Sequence, residues 1–328
     1  MMVQALLLGL VLQEAVPASI KDITPARIQA NVDHLAKDEL YGRYWLSPFG
    51  QQAAEWIKEQ FEQAGVEPGL PDGSWFQKLP IENASPNVVG LIRGTDPDAG
   101  FVALGAHYDH LPPRRRGEDK IYNGADDNAS GTSGLIEIGR ALVPLKSQLK
   151  ASVLLIAFTG EEAGLMGSKH FVEKMTIKPG EFIGLFNLDM ISRGEEDVIF
   201  IDGAKSAPRL IEAIRKANRS ELRLMVDKHP DWLSRSDQWP FLQKGVPAVL
   251  FSVEDHEDYH QVTDHADKII APLAARVSQM IALAILDLGS QKKVGSGELG
   301  EDSTSQKQKN RDHPSDPDTK TDLKEPDS

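Results

Sequence analysis

Five short segments of the chain carry residue types that hold divalent cations and move protons. They are Ala106-His107-Tyr108-Asp109-His110, Gly124-Ala125-Asp126-Asp127-Asn128-Ala129-Ser130-Gly131, Thr159-Gly160-Glu161-Glu162, Asp189, and the run from Ser252 to His260. Each has an ordinary reading on its own. His-x-Asp is common, and a Glu pair opening a helix is favoured by the helix dipole. Asp126-Asp127 reads as a turn with an N-cap. Asp189 reads as a cap and His260 as a surface histidine. Taken together, the five segments fit one demanding chemistry. Two divalent ions about 3.5–4 Å apart form a clamp for hydrolysis. A bridging carboxylate must hold ions that close. Zinc accepts imidazole nitrogen and carboxylate oxygen and leaves a position for water. A further carboxylate, free of metal, must take a proton from the water and deliver it to the leaving group. His107 needs a partner for its other ring nitrogen, and Asp109 is the nearest candidate. The chain has no Cys, which excludes disulfides, thiolate nucleophiles and thiolate metal sites.

The elements that must position these residues are visible as short apolar runs bounded by turn residues: Asn87–Ile92, Phe101–Gly105, Ser152–Phe158, Phe182–Leu188 and Ala248–Phe251. Helical patterns lie at Gln51–Ala64 (ending at Gly65, a natural C-cap), Gly134–Val143, Ala207–Ala217 and Pro272–Leu288. Strands alternating with helices predict a single α/β domain, with a central, mostly parallel mixed sheet and helices on both faces. In open sheets of this kind a site lies at the carboxyl ends of the strands. Four of the apolar runs lead directly into a candidate segment.

The segments GAHYDHL, NGADDNASGTSGL, FTGEEAGLMGSKHF, NLDM and DYHQVTD, in that order, resemble the motifs of the M28 zinc peptidases, which include bacterial leucyl-type aminopeptidases. The likeness is close from His107 to His260 and covers the whole body in organisation. It implies a zinc-dependent exopeptidase fold, two Zn2+ per chain, and peptide substrates that lose N-terminal residues. By the same resemblance, Asp127 bridges both ions. His107 and Asp189 complete one site, and Glu162 and His260 the other. Glu161 is the general base and acid, and Asp109 stands behind His107. Tyr259 hydrogen-bonds the tetrahedral intermediate, and the Asp127–Asn128 peptide is cis. His256 and His265 compete with His260, which is favoured by Asp264 four residues on. His110 reads as a loop residue, and His34, His170 and His229 as structural. Arg235, in Ser234–Asp237, reads as a contact to the substrate backbone or as a surface arginine. Arg114–Arg116 read as a solvated loop.

Two other functions fit the fold. One is a single-zinc acyltransferase resembling glutaminyl cyclases, whose bridging segment lacks the DDNASG form seen here. The other is a non-catalytic binding protein, whose relatives lose ligands or the base. All five ligand candidates and Glu161 are present here, which favours the exopeptidase. A net charge of −13 argues against a nucleic-acid partner. Residues 1–19 hold an apolar run from Ala5 to Leu12. It is too short to span a bilayer and matches a signal-peptide core, without basic residues before it. Export to the periplasm or medium is therefore expected, without stable membrane insertion. The catalytic body is expected over residues 20–288. Residues 289–328 are expected to be a disordered polar tail. Oligomeric state has no sequence signal.

Overall fold

The computed structural model describes residues 15–291. The expected leader up to residue 14 and the tail from residue 292 lie outside the described residues. Secondary structure is described on both sides of the expected limits, Ile20 and Leu288. Ala18–Lys21 is helical with Ile20 buried, and the last helix runs on to Ser290.

The strands are β1 (Glu67–Pro68), β2 (Phe76–Gln77), β3 (Asn87–Ile92), β4 (Phe101–His107), β5 (Ser152–Phe158), β6 (Phe182–Leu188), β7 (Val198–Asp202), β8 (Arg223–Val226) and β9 (Ala248–Ser252). They form one sheet in the order β1-β3-β5-β4-β6-β9-β7-β8, with β2 also on β3. The central strands β5, β4, β6 and β9 are mutually parallel. The outer joints, β3 to β5 and β7 to β9, are antiparallel. Connection length decides this. Parallel neighbours need a crossover of a dozen residues or more. The links Arg93–Gly100 and Asp189–Asp197 are too short, so β3 and β7 must return the other way.

The helices are α1 (Ala18–Lys21), α2 (Pro25–Leu35), α3 (Pro48–Ala64), α4 (Gly131–Leu142), α5 (Met166–Lys174), α6 (Pro208–Ala217), α7 (Gln238–Gln243) and α8 (Ala271–Ser290). Helix α3 starts before the expected Gln51 because Ser47 caps it and Pro48 fits the first turn. It ends at Gly65, which adopts φ 82. Alternate residues of each strand feed two cores. Val102, Leu104 and Ala106 of β4 join α2, α3, α4, α6 and α8. Ala103 faces the opposite side, with Phe171 of α5 and Phe241 of α7. Both sheet faces are covered, which is why the central strands are apolar throughout.

Helix α8 is long and apolar enough to cross a membrane by length and composition, and most of it is buried in the protein. Ile281 at its centre has no exposed surface. Ile281→Ala should therefore cost about 2–5 kcal/mol, read as a lower urea midpoint with an unchanged m-value.

Candidate metal centre

The strand registers set the central strands' carboxyl ends level. His107 pairs with Phe158 across β4 and β5, Gly105 with Asn187 across β4 and β6, and Leu188 with Phe251 across β6 and β9. His107 ends β4, Glu161 and Glu162 follow β5, Asp189 follows β6, and Tyr259 and His260 follow β9. Asp127 arrives in the turn Ala125–Ser130 that opens α4.

The residues gather into two sets that share Asp127. On one side, His107 Nε2 lies 3.1 Å from Asp189 Oδ1 and 3.4 Å from Asp127 Oδ1. On the other, His260 Nε2 lies 3.2 Å from both Asp127 Oδ2 and Glu162 Oε2. Ligand atoms around a tetrahedral ion with bonds of 2.0–2.1 Å stand about 3.3 Å apart. Both sets match that spacing, and their nitrogen and oxygen donors suit zinc, so the residues fit the metal. The Asp127–Asn128 peptide is cis.

The turn bearing Asp127 is fixed from three directions. The Asp264 carboxylate accepts the backbone N–H groups of Asp126 and Asp127. The Asn128 side chain donates to Leu188 O and accepts from the N–H of Gly131 and of Met190, joining the turn to the end of β6. Asp126 points away from the ligand sets, toward Ser192 and to His256 Nε2 at 3.1 Å. That contact accounts for His256. His265 faces Asp119 at 3.7 Å on the surface. Of the three competing histidines, His260 alone reaches Asp127 and Glu162.

The surroundings of Asp109, His110 and Asp237 go beyond what the sequence reading gave. His107 Nδ1 faces the main-chain oxygen of Asp109 at 3.1 Å, and the Asp109 carboxylate is 3.8 Å away. That carboxylate instead accepts the backbone N–H of Glu161, so it positions Glu161. His110 lies in the loop that follows β4, but not on the surface. It is fully buried, with Nδ1 at 2.6 Å from Glu162 Oε1 and 3.7 Å from Asp127 Oδ2. His110, Asp127 and Glu162 thus also gather closely enough for a metal. The 2.6 Å separation is shorter than the spacing of two ligands on one ion and suits a hydrogen bond that orients Glu162. Asp237 is buried with neither carboxylate oxygen partnered. It is the last residue of the Ser234–Asp237 segment, and the sequence does not reveal its burial.

His107, Asp127, Glu161, Asp189 and Tyr259 line a cavity of about 50 Å³ whose far wall holds Met190, Trp232, Leu250 and Ser252. Arg235 pairs with Asp255 at 3.2 Å at this cavity, over the Trp232 ring. An open groove of about 510 Å³ shares Glu161, Arg235 and Tyr259 and continues past Leu165 and Trp239. Arg114 is tied to Tyr122 and Gln261, while Arg115 and Arg116 are exposed, as a solvated loop requires.

A family model described as Peptidase family M28 matches residues 87–285. The chain belongs to peptidase family M28. It is 28% identical over 195 residues to a probable leucine aminopeptidase of Arthroderma otae, across 57% of this chain and 53% of that protein. The Legionella pneumophila LapA aminopeptidase structure matches with TM-score 0.69 at 24% identity, across 84% of this chain and 74% of that one. A Porphyromonas gingivalis glutaminyl cyclase structure matches with TM-score 0.62 at 16% identity, across 80% and 97%. These structural likenesses show a shared fold. The chain spans about half the length of the curated relatives it matches. Among the described residues, this M28 chain therefore holds the α/β frame and two candidate metal-binding groups that share Asp127.

Without metal, the centre of this M28 protein retains protons. Burial opposes charge on His260, but hydrogen bonds to Asp127 and Glu162 outweigh it and push its pKa up to about 10. For His107 burial is likewise outweighed, by Asp189 and Glu161 foremost, and its pKa lies well above the usual imidazole range. Burial pushes Asp109 up to about 7 and Asp237 up to about 7. Ligands must be deprotonated to bind a cation. Zinc uptake by the stripped protein at pH 7 should release protons, and affinity should rise with pH. Calorimetry in buffers of differing ionisation enthalpy will give the proton count, and a count of zero would contradict this account of the centre.

Proposed function

We propose that this chain is a zinc-dependent aminopeptidase that holds two zinc ions and removes N-terminal residues from peptides. The observation that carries the reading is the two-sided use of Asp127. One carboxylate oxygen faces His107, beside Asp189, and the other faces His260 and Glu162. His107, Asp127 and Asp189 would hold one ion, and Asp127, Glu162 and His260 the other. Bound there, zinc would supply Lewis acidity toward the scissile carbonyl and a water acidic enough to be deprotonated near neutral pH.

The remaining steps belong to the chain's own groups. The half-buried Glu161 carboxylate sits at the junction of the cavity and the groove. It takes a proton from the attacking water and passes it to the departing amine. Burial, with Asp189, Asp237 and Glu162, outweighs His107 and holds this carboxyl well above its ordinary range in the metal-free protein. Added cations would draw it back down. The Tyr259 phenol is pushed up by burial and by the carboxylates of Asp127 and Asp189, so it keeps its proton at neutral pH. It donates to the carbonyl oxygen as negative charge develops there. A small cavity on one side and an open groove on the other suit a substrate with one residue before the scissile bond and a longer chain after it.

A panel of aminoacyl-p-nitroanilides, free and N-acetylated, tests this, with zinc counted in the same sample. Turnover of the free-amine substrates alone, with two zincs per chain and loss on chelation, is expected. No turnover with a single zinc would favour a glutaminyl cyclase-like reaction, to be tried on an N-terminal glutaminyl peptide. Glu161→Gln should lower kcat by roughly 10²–10⁴-fold with metal content unchanged. Asp127→Asn should lose metal and activity together.

A further inference from the structure

Arg43 is a guanidinium with no exposed surface. Among the described residues, no carboxylate oxygen lies within ion-pair distance of it. A buried cation without a counter-ion is costly unless its donors are fully used. Here four donated hydrogen bonds all go to main-chain oxygens. Nε donates to Tyr108 O at 2.7 Å. Nη1 donates to Leu35 O at 2.6 Å and to Asn123 O at 2.7 Å. Nη2 donates to Gly124 O at 2.9 Å.

The identity of those oxygens matters. Tyr108 stands between His107 and Asp109. Asn123 and Gly124 lead into the turn that carries Asp127. Leu35 ends α2. One planar fork therefore joins the strand end bearing one ligand to the turn bearing the shared ligand. The backbone is bent to deliver it. Tyr41, Gly42 and Arg43 have φ of 43°, 71° and 56°, a left-handed run that side-chain-bearing residues rarely adopt. At Gly42, a Cβ would meet Tyr122 O at 2.6 Å and Leu111 O at 2.8 Å. The strained run lies against the main chain on both sides of the loop between His110 and Asn123. The charge also acts at longer range on Asp127, Asp109, Asp264 and Glu162.

We propose that Arg43 is a positioning residue for the metal centre, setting the separation of His107 from Asp127 through their backbones. The proposal rests on the reading that zinc binds at these residues. A lysine brings a single point charge and cannot span four carbonyls in a plane. Arg43→Lys should therefore keep the fold but bind zinc more weakly, by roughly 10–100-fold, the usual cost of losing a group that orients ligands.

The test is a zinc titration against a competing chelator on stripped wild-type and Arg43→Lys protein. Circular dichroism and thermal unfolding would be recorded on both metal-free forms. Weaker zinc binding by a folded variant supports the proposal. Wild-type zinc affinity in the variant overturns it, whatever the melting temperature, and leaves Arg43 as a structural staple. Failure of the wild type to bind zinc would instead sink the metal reading itself. A second measurement needs no variant: hydrogen exchange at the Arg43 Nε–H of the wild type, with and without zinc. Zinc should slow this exchange more than it slows amide exchange in β8, at the edge of the sheet. Equal slowing at both places overturns the proposal.

Discussion

One carboxylate must face two ligand sets at once, and the rest of the centre follows from that. Asp127 cannot turn to either side without abandoning the other. Its oxygens sit 3.4 Å and 3.2 Å from imidazole nitrogens that approach from β4 and from the segment after β9. Around it stand Glu161, Glu162 and Asp189. Two like charges 4 Å apart repel by about 4 kcal/mol at an effective dielectric constant of 20. Such a group of acids holds together only with positive charge among them. In the metal-free protein the imidazolium forms of His107 and His260 supply it, which is why both histidines are driven toward the charged form. A divalent cation would be the stronger solution, and the donor spacing fits one.

Holding acids in mutual repulsion requires a stiff frame, and the parallel sheet supplies one. Four strands end level; β4, β5 and β6 present their residues within four positions of the last pairing, and His260 follows the end of β9 by eight. The turn carrying Asp127 has no strand of its own. It is held by Asp264, by the Asn128 side chain and by Arg43, all through main-chain groups. Side chains that grip backbone leave the Asp127 carboxylate free for its two tasks. His110 grips Glu162, and Asp109 grips the backbone of Glu161. Glu162 and Glu161 are thus each held by a buried neighbour.

The sequence disclosed what is local. β3, β5 and β6 were readable to the residue because strands buried on both faces are unbroken apolar runs. β8 was not, because Arg223–Val226 is a short, partly exposed edge strand with no alternation to detect. α5 and α7 were missed as short helices with weak periodicity. The antiparallel joints depended on link lengths rather than on any property of the strands. The ligand candidates stood out because each follows a strand or opens a helix. Their supports did not. Arg43 reaches a carbonyl 65 positions away and Asp264 an N–H 138 positions away. In sequence, the stretch Asp38-Glu39-Leu40-Tyr41-Gly42-Arg43 looks like ordinary polar surface, and Asp264 served only as a marker for His260. His110 lies within the first motif, but no spacing rule separates a buried histidine on Glu162 from an exposed one.

The same fold serves proteins described as aminopeptidases and one described as a glutaminyl cyclase, so the frame does not choose the reaction. In this chain the turn after β4 offers a carboxylate to both sides. That turn is also where the chain accumulates its least comfortable features: a buried acid pair at Asp126 and Asp127, and a buried arginine reached through a left-handed run. Strain and buried charge are tolerated where the surrounding structure over-determines them. Here they converge on one turn, which argues that its geometry, more than any single ligand, is what the rest of the chain is folded to maintain. A cation belonging to the chain fixes the turn through its carbonyls, and cations from solvent would complete it through its carboxylate. The two act on opposite kinds of group in the same few residues, so neither can replace the other.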